Sequence, residues 1–187
     1  MSKHIVVVGT SLGGLNALTI LLAGLPRDFP APIAIAQHRT RDADSSLAEL
    51  LQRQSALPVV EADDKTPIEA GRVYLAPPDY HLLVGAEELS LSTEAPVSHA
   101  RPSIDVLFDS AASSFGTGVI AVILTGASED GAQGAAVVKR RGGRVIVQDP
   151  NEAESAIMPL AVVNRKLADA VLPLRAIPLE LQQIARR

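Results

Sequence analysis

The sequence predicts an α/β fold: a doubly wound, mainly parallel sheet flanked by helices, with a small antiparallel hairpin excursion near residues 72–92. Three observations carry this reading. Short β-branched runs alternate along the chain with segments rich in helix formers, as in strands joined by helical crossovers. Apolar residues make up 47% of the chain but aromatics only 3%, so the core must be Val, Ile, Leu and Ala, a palette suited to strands covered on both faces. The length of 187 residues is enough to bury such a core in one domain spanning 1–187.

The elements follow in order. Ile5–Leu25 has no charged residue, so it is long enough to span a bilayer or to be a signal peptide. Its propensity changes midway, however. Val6-Val7-Val8 favours a strand, Gly9–Gly13 a turn, and Gly14–Ala23 a helix. A spanning helix needs no such change, and the segment reads as buried core. Three prolines in Leu25–Pro32 break the chain before a second strand, Ile33–His38. A polar helix is expected over about Asp44–Gln54, then a strand around Leu57–Ala62.

Between Arg72 and Ser92 short β-type runs alternate with turn signals at Pro77-Pro78-Asp79 and Gly85-Ala86-Glu87, which predicts the antiparallel excursion. A helix starts near Ser103, its expected cap, with Val106, Leu107, Ser110 and Ala111 inward. Gly118–Gly126 is the strongest buried strand. Asp130–Gly143 reads as a helix with Lys139, Arg140 and Arg141 at its C-terminal end. Arg144–Asp149 is a strand, Met158–Ala168 a helix with Pro159 in its first turn, Ala170–Leu172 a short strand and Leu179–Arg187 a terminal helix.

Composition removes several functions. A net charge of −4 and scarce aromatics argue against a nucleic-acid partner. The absence of Cys removes disulfides, thiolate metal sites and cysteine nucleophiles, and fits a reducing compartment.

In a doubly wound sheet, ligands bind at the carboxyl ends of the strands. The polar residues there are Ser11 in Gly9-Thr10-Ser11-Leu12-Gly13, His38 after the second strand, and Asp130 after Gly118–Gly126. They are far apart in sequence but share one predicted sheet edge. A serine hydroxyl becomes a nucleophile when an imidazole takes its proton, and an acid on the other ring nitrogen fixes the tautomer. The Gly-x-Ser-x-Gly turn presents the hydroxyl, and the Leu12 N–H is the natural first donor to an oxyanion. The bland readings are a phosphate-binding turn, a structural histidine and a helix-capping aspartate. The chain order Ser, His, Asp also differs from the Ser, acid, His of common α/β-hydrolases.

These stretches resemble one family. Val6–Leu18, Ala34–Thr40, Ala70–Val84, Arg101–Ala112, Val122–Gly143 and Val147–Pro159 are similar, in order, to the catalytic domain of chemotaxis protein-glutamate methylesterases. The resemblance implies Ser11 as nucleophile, His38 as general base and acid, and Asp130 as orienting acid, with Leu12 and Ala127 as backbone oxyanion donors. It implies a cytoplasmic serine esterase that removes methyl groups from γ-glutamyl methyl esters on chemoreceptor cytoplasmic helices and can deamidate glutamines. It implies no metal and no organic cofactor. The family's usual N-terminal receiver domain has no room before Ile5, so phosphorylation in cis is not expected within these residues.

Three positions depart from the family pattern. Leu12 is apolar where a small polar residue is usual, Ala127 replaces Met, and Glu129 replaces Asn beside Asp130, where its charge would act on the histidine or on an acidic substrate. Arg39, Arg41, His99 and Arg101 are candidates for an acidic partner helix, or ordinary surface. His4, His81, Asp63, Asp64, Asp79 and Asp149 read as structural or solvated. Two other functions remain to be weighed: a receptor-binding module of the same fold with little turnover, and a nucleotide-binding domain, which lacks the expected glycine spacing.

Overall fold

The computed structural model describes residues 3–40 and 46–186. Seven parallel strands form the main sheet: β1 (Ile5–Thr10), β2 (Ile33–Gln37), β3 (Val59–Glu61), β5 (Val73–Leu75), β8 (Val119–Ile123), β9 (Arg144–Gln148) and β10 (Ala170–Leu172). A small antiparallel sheet holds β4 (Thr66–Pro67), β6 (His81–Val84) and β7 (Glu88–Ser92). The helices are α1 (Gly14–Ala23), α2 (Ser46–Gln52), α3 (Ile104–Phe115), α4 (Ala132–Arg140), α5 (Ile157–Val163) and α6 (Ile177–Ala185). The expected start of α2 at Asp44 lies outside the described residues.

The main sheet runs β10-β9-β8-β1-β2-β5-β3. The period of two divides β1 between two cores: Ile5 and Val7 face α3, α4, α5 and the small sheet, while Val6 and Val8 face α1, α2 and α6. Burial on both faces explains why the strands read as unbroken apolar runs. The Ile5–Leu25 stretch is a strand, a turn and a helix, and among the described residues no helix is long and apolar enough to cross a membrane.

The antiparallel excursion is present, with one change of membership. Val73–Leu75 pairs in parallel with Ile33–Ile35 and Val59–Glu61 in the main sheet, and Thr66–Pro67 joins Glu88–Leu89 instead. Tyr74 ties the two regions, since its hydroxyl donates to the Pro67 carbonyl and accepts the Glu69 N–H. The inward face of α3 is Ile104, Leu107, Phe108, Ala111 and Ala112; Val106 and Ser110 lie at its margin, where Ser110 Oγ accepts the Val84 N–H from β6.

β1 is longer than expected and contains Gly9 and Thr10. Gly9 serves close packing rather than the turn, because a Cβ there would meet Ile104 Cγ2 at 2.3 Å. The turn belongs to Gly13, whose φ of 78° is left-handed.

Candidate active site

Strand order explains why three distant residues meet. β8, β1 and β2 are neighbours, and Asp130, Ser11 and His38 follow them at their carboxyl ends. The parallel register aligns Thr10 with Gln37, so the next pair on is Ser11 and His38, and the His38 N–H bonds to the Thr10 carbonyl. From β1 the chain winds to one side through β2, β3 and β5 and then crosses back to β8 on the other side of β1, so the site lies at the switch point where an open α/β sheet forms its crevice.

The nucleophile turn is pinned from β8. Ser11 N–H donates to the Thr125 carbonyl, Thr10 Oγ donates to the same carbonyl, and Thr125 Oγ donates to the Leu12 carbonyl. Gln148 in β9 accepts the Thr125 N–H at 2.9 Å. Gly126 lies between Ser11 and Met158. A Cβ there would come 2.6 Å from Met158 Cε and 3.1 Å from Ser11 Cβ. Gly126→Ala is therefore expected to lower stability by only about 1 kcal/mol, since the flexible end of Met158 can move aside, and to reduce kcat, because the added methyl crowds Ser11 Cβ. Thermal melting beside turnover checks this; an unchanged kcat would show that Ser11 tolerates the displacement.

Asp130 is buried, at 1% exposure, yet its carboxylate is fully engaged. Oδ2 accepts His38 Nε2–H and the Ile104 N–H, both at 2.7 Å. Oδ1 accepts the Ser103 hydroxyl at 2.9 Å and the Asp105 N–H at 3.0 Å. Ser103 stands at the N-cap position of α3 as expected, but its side chain makes no cap bond. Asp130 caps that helix from another part of the chain. Burial pushes the Asp130 carboxyl up. The His38 hydrogen bond and the N–H groups of Ile104 and Asp105 outweigh burial and hold it below the ordinary carboxylate value. An ionised carboxylate only accepts, so Nε2 carries the imidazole proton and Nδ1 carries the lone pair. His38 has no hydrogen bond to Ser11 in this resting geometry, and Ser11 Oγ has no protein partner among the described residues.

Asp105 is the residue the sequence reading missed. Its Oδ1 accepts the N–H groups of Gly131 at 2.9 Å and Gly134 at 2.7 Å. Burial raises its pKa to about 6, with the Asp130 charge adding to the rise and the two glycine N–H groups opposing it. The only sequence signal was an acid in the first turn of an apolar helix, which ordinarily reads as a solvated dipole partner.

The Leu12 side chain is exposed at 53% and borders, with Ser11, Asn16, Gln37 and Glu154, an open cleft of about 570 Å³. Among the described residues neither the Leu12 nor the Ala127 N–H has a protein acceptor. Glu129, which the sequence placed beside Asp130, points to the surface. Its carboxylate turns outward and accepts a bond from Arg165 at 3.0 Å. The proposed basic set is likewise mostly engaged within the chain. Arg39 pairs with Glu61, and Arg101 holds Asp79 and the carbonyls of Thr93 and Glu94. His99 is exposed, and Arg41 lies outside the described residues. His81 is structural: Nδ1 accepts the Ser103 N–H and Nε2 bonds the Ala95 carbonyl. Among the described residues no group of three or more His, Asp or Glu has the geometry to hold a metal ion.

Fold and site together define an α/β protein that presents a serine, an acid-bound histidine and free backbone N–H groups at one switch point. The family model of CheB methylesterase matches residues 6–181. The crystal structure of the Thermotoga maritima CheB methylesterase catalytic domain superposes with a TM-score of 0.95 at 39% identity, covering 98% of this chain and 100% of that one. A Leptospira interrogans relative, provisionally named as a protein-glutamate methylesterase/protein-glutamine glutaminase, is 42% identical over 178 residues, 95% of this chain and 92% of its own length. Protein-glutamate methylesterase/protein-glutamine glutaminase 2 of Anaeromyxobacter dehalogenans is 45% identical over 185 residues, which are 98% of this chain and 54% of that protein. The chain belongs to the CheB methylesterase family.

Proposed function

We propose that this protein is a serine esterase that hydrolyses γ-glutamyl methyl esters on the cytoplasmic helices of chemoreceptors, and deamidates selected glutamines there. The observation that carries the reading is the 2.7 Å bond from His38 Nε2 to a buried, ionised Asp130, with Ser11 adjoining His38 in register. Ser11 Oγ attacks the γ-carbonyl carbon while His38 Nδ1 takes its proton. The Leu12 and Ala127 N–H groups receive the oxyanion. Asp130 stabilises the imidazolium that forms. Collapse of the tetrahedral adduct breaks the bond to methoxide, which leaves as methanol with the proton from His38. Water then attacks the glutamyl-serine ester with His38 again as base, giving the free glutamate and restoring Ser11. A glutamine side chain follows the same course with ammonia as the leaving group.

The open Ser11–His38 contact favours one second reading, a receptor-binding module with little turnover. Catalytic hydrogen bonds commonly tighten only with substrate in place, which is why the hydrolytic reading is preferred. The test is methanol release from a methylated chemoreceptor cytoplasmic fragment, with ammonia release from the unmethylated glutamine form measured alongside. Methanol in stoichiometric excess over enzyme is expected. Binding of the fragment without methanol release would replace the esterase with the binding module.

A further inference from the structure

α3 and α4 pack side by side with their N-termini together, and the start of each is capped by an acid from the other. Asp130, just before α4, accepts N–H groups of the first turn of α3. Asp105, in that first turn, accepts the N–H groups of Gly131 and Gly134 at the start of α4. The exchange is reciprocal, so the turn that carries Asp130 is fixed by a residue on the helix Asp130 itself caps. Two further facts tighten it. Gly131 has a φ of 100°, and a Cβ on Gly134 would meet Phe108 Cβ at 2.6 Å and the Asp105 backbone at 3.1 Å. The helices therefore approach as closely as glycine allows, and the carboxylate of Asp105 is the side-chain link between α3 and the 130–134 backbone. Among the described residues it makes no hydrogen bond to His38 or Ser11.

We propose that Asp105 is a positioning residue that aims Asp130 at His38 Nε2 by holding the Gly131 and Gly134 N–H groups. This rests on the esterase reading for its kinetic arm only. What Asp105 supplies is one acceptor oxygen between two glycine N–H groups, and the negative charge is incidental. Asparagine keeps that oxygen, and its amide N–H faces the Asp130 carboxylate without repelling it. Alanine removes the acceptor and leaves two N–H groups buried without a partner.

The test compares Asp105→Ala and Asp105→Asn in the full chain, by kcat and KM and by the ring ¹⁵N shifts of His38, which report its tautomer in the neutral form. Asp105→Ala is expected to lose kcat roughly a hundredfold with KM little changed, the scale for a small misplacement of a catalytic group. Its His38 shifts move away from the Nε2–H tautomer. Asp105→Asn stays within a fewfold of the parent in kcat and keeps its shifts. Val138→Ala, a core deletion in α4 chosen to match the loss of melting temperature, leaves the shifts unchanged. Should Asp105→Ala fail to fold, Asp105→Ser, whose short hydroxyl spans only one of the two N–H groups, carries the same expectation. Parent-like shifts in Asp105→Ala overturn the proposal, as do displaced shifts in Asp105→Asn or in the Val138→Ala control. The shifts are read without substrate, so a chain that releases no methanol still decides the positioning role.

Discussion

Replacing Asp130 with Asn is expected to lower kcat about ten-thousandfold, the scale seen when a triad acid becomes an amide and the imidazole takes the wrong tautomer. The reason is the count of donors. His38 Nε2, Ile104 N–H, Asp105 N–H and Ser103 Oγ all point at two carboxylate oxygens. An amide has one acceptor oxygen, so its NH₂ must face donors. If it faces His38, Nε2 must accept, the ring proton moves to Nδ1, and the base that would take the Ser11 proton is gone. In either orientation it also faces an α3 N–H, that of Ile104 at the Oδ2 position or of Asp105 at Oδ1, so a helix terminus is left unsatisfied in a buried site, which costs about 1–3 kcal/mol. Both turnover and stability therefore fall. The acid response gives a second readout. The folded pKa of Asp130 lies below the ordinary 3.8, so its contribution to stability is present above that value and is lost as pH falls through the folded pKa. Acid unfolding of Asp130→Asn is expected to lack this component. A variant that keeps parent turnover would mean that Asp130 does not orient His38, and one that keeps parent acid dependence would mean that Asp130 is not ionised in the folded chain.

Ser11→Ala is expected to remove methanol release altogether, a loss on the order of a millionfold where a nucleophilic serine does the chemistry. It should also abolish labelling by a serine-directed phosphonate. Stability should barely change, since Ser11 Oγ has no protein partner among the described residues and its backbone N–H bond to Thr125 is untouched. The deletion is therefore clean: binding of a methylated receptor fragment is retained while acylation disappears. Residual methanol release near the parent rate would assign the nucleophile to another group or to water.

How far the sequence spoke for itself depends on the range of the forces involved. β1, β2 and β8 were legible because burial on both faces leaves a local mark, an unbroken run of Val, Ile and Ala. The strand-end rule then placed Ser11, His38 and Asp130 on one edge. Val73–Leu75 was assigned to the wrong sheet because its neighbours in sequence carry hairpin signals, whereas its strand partners begin at Ile33 and Val59. The capping of α3 by Asp130 was not legible for the same reason. An aspartate before a helix suggests a local cap on that helix, and nothing in the local pattern points to one 26 residues back. Glu129 shows the converse, since it adjoins Asp130 in sequence but its side chain pairs with Arg165, 36 residues on.

The double employment of Asp130 bears on how this chain would decay. A lineage released from hydrolysis would still be held to an aspartate here, because losing it strips a helix of its cap. Selection for foldedness alone is enough to preserve the letter. Ser11 has no such second duty and is free to drift once turnover stops mattering. Among descendants of this protein, the serine is thus the informative witness to a living enzyme, and the aspartate only to a folded one.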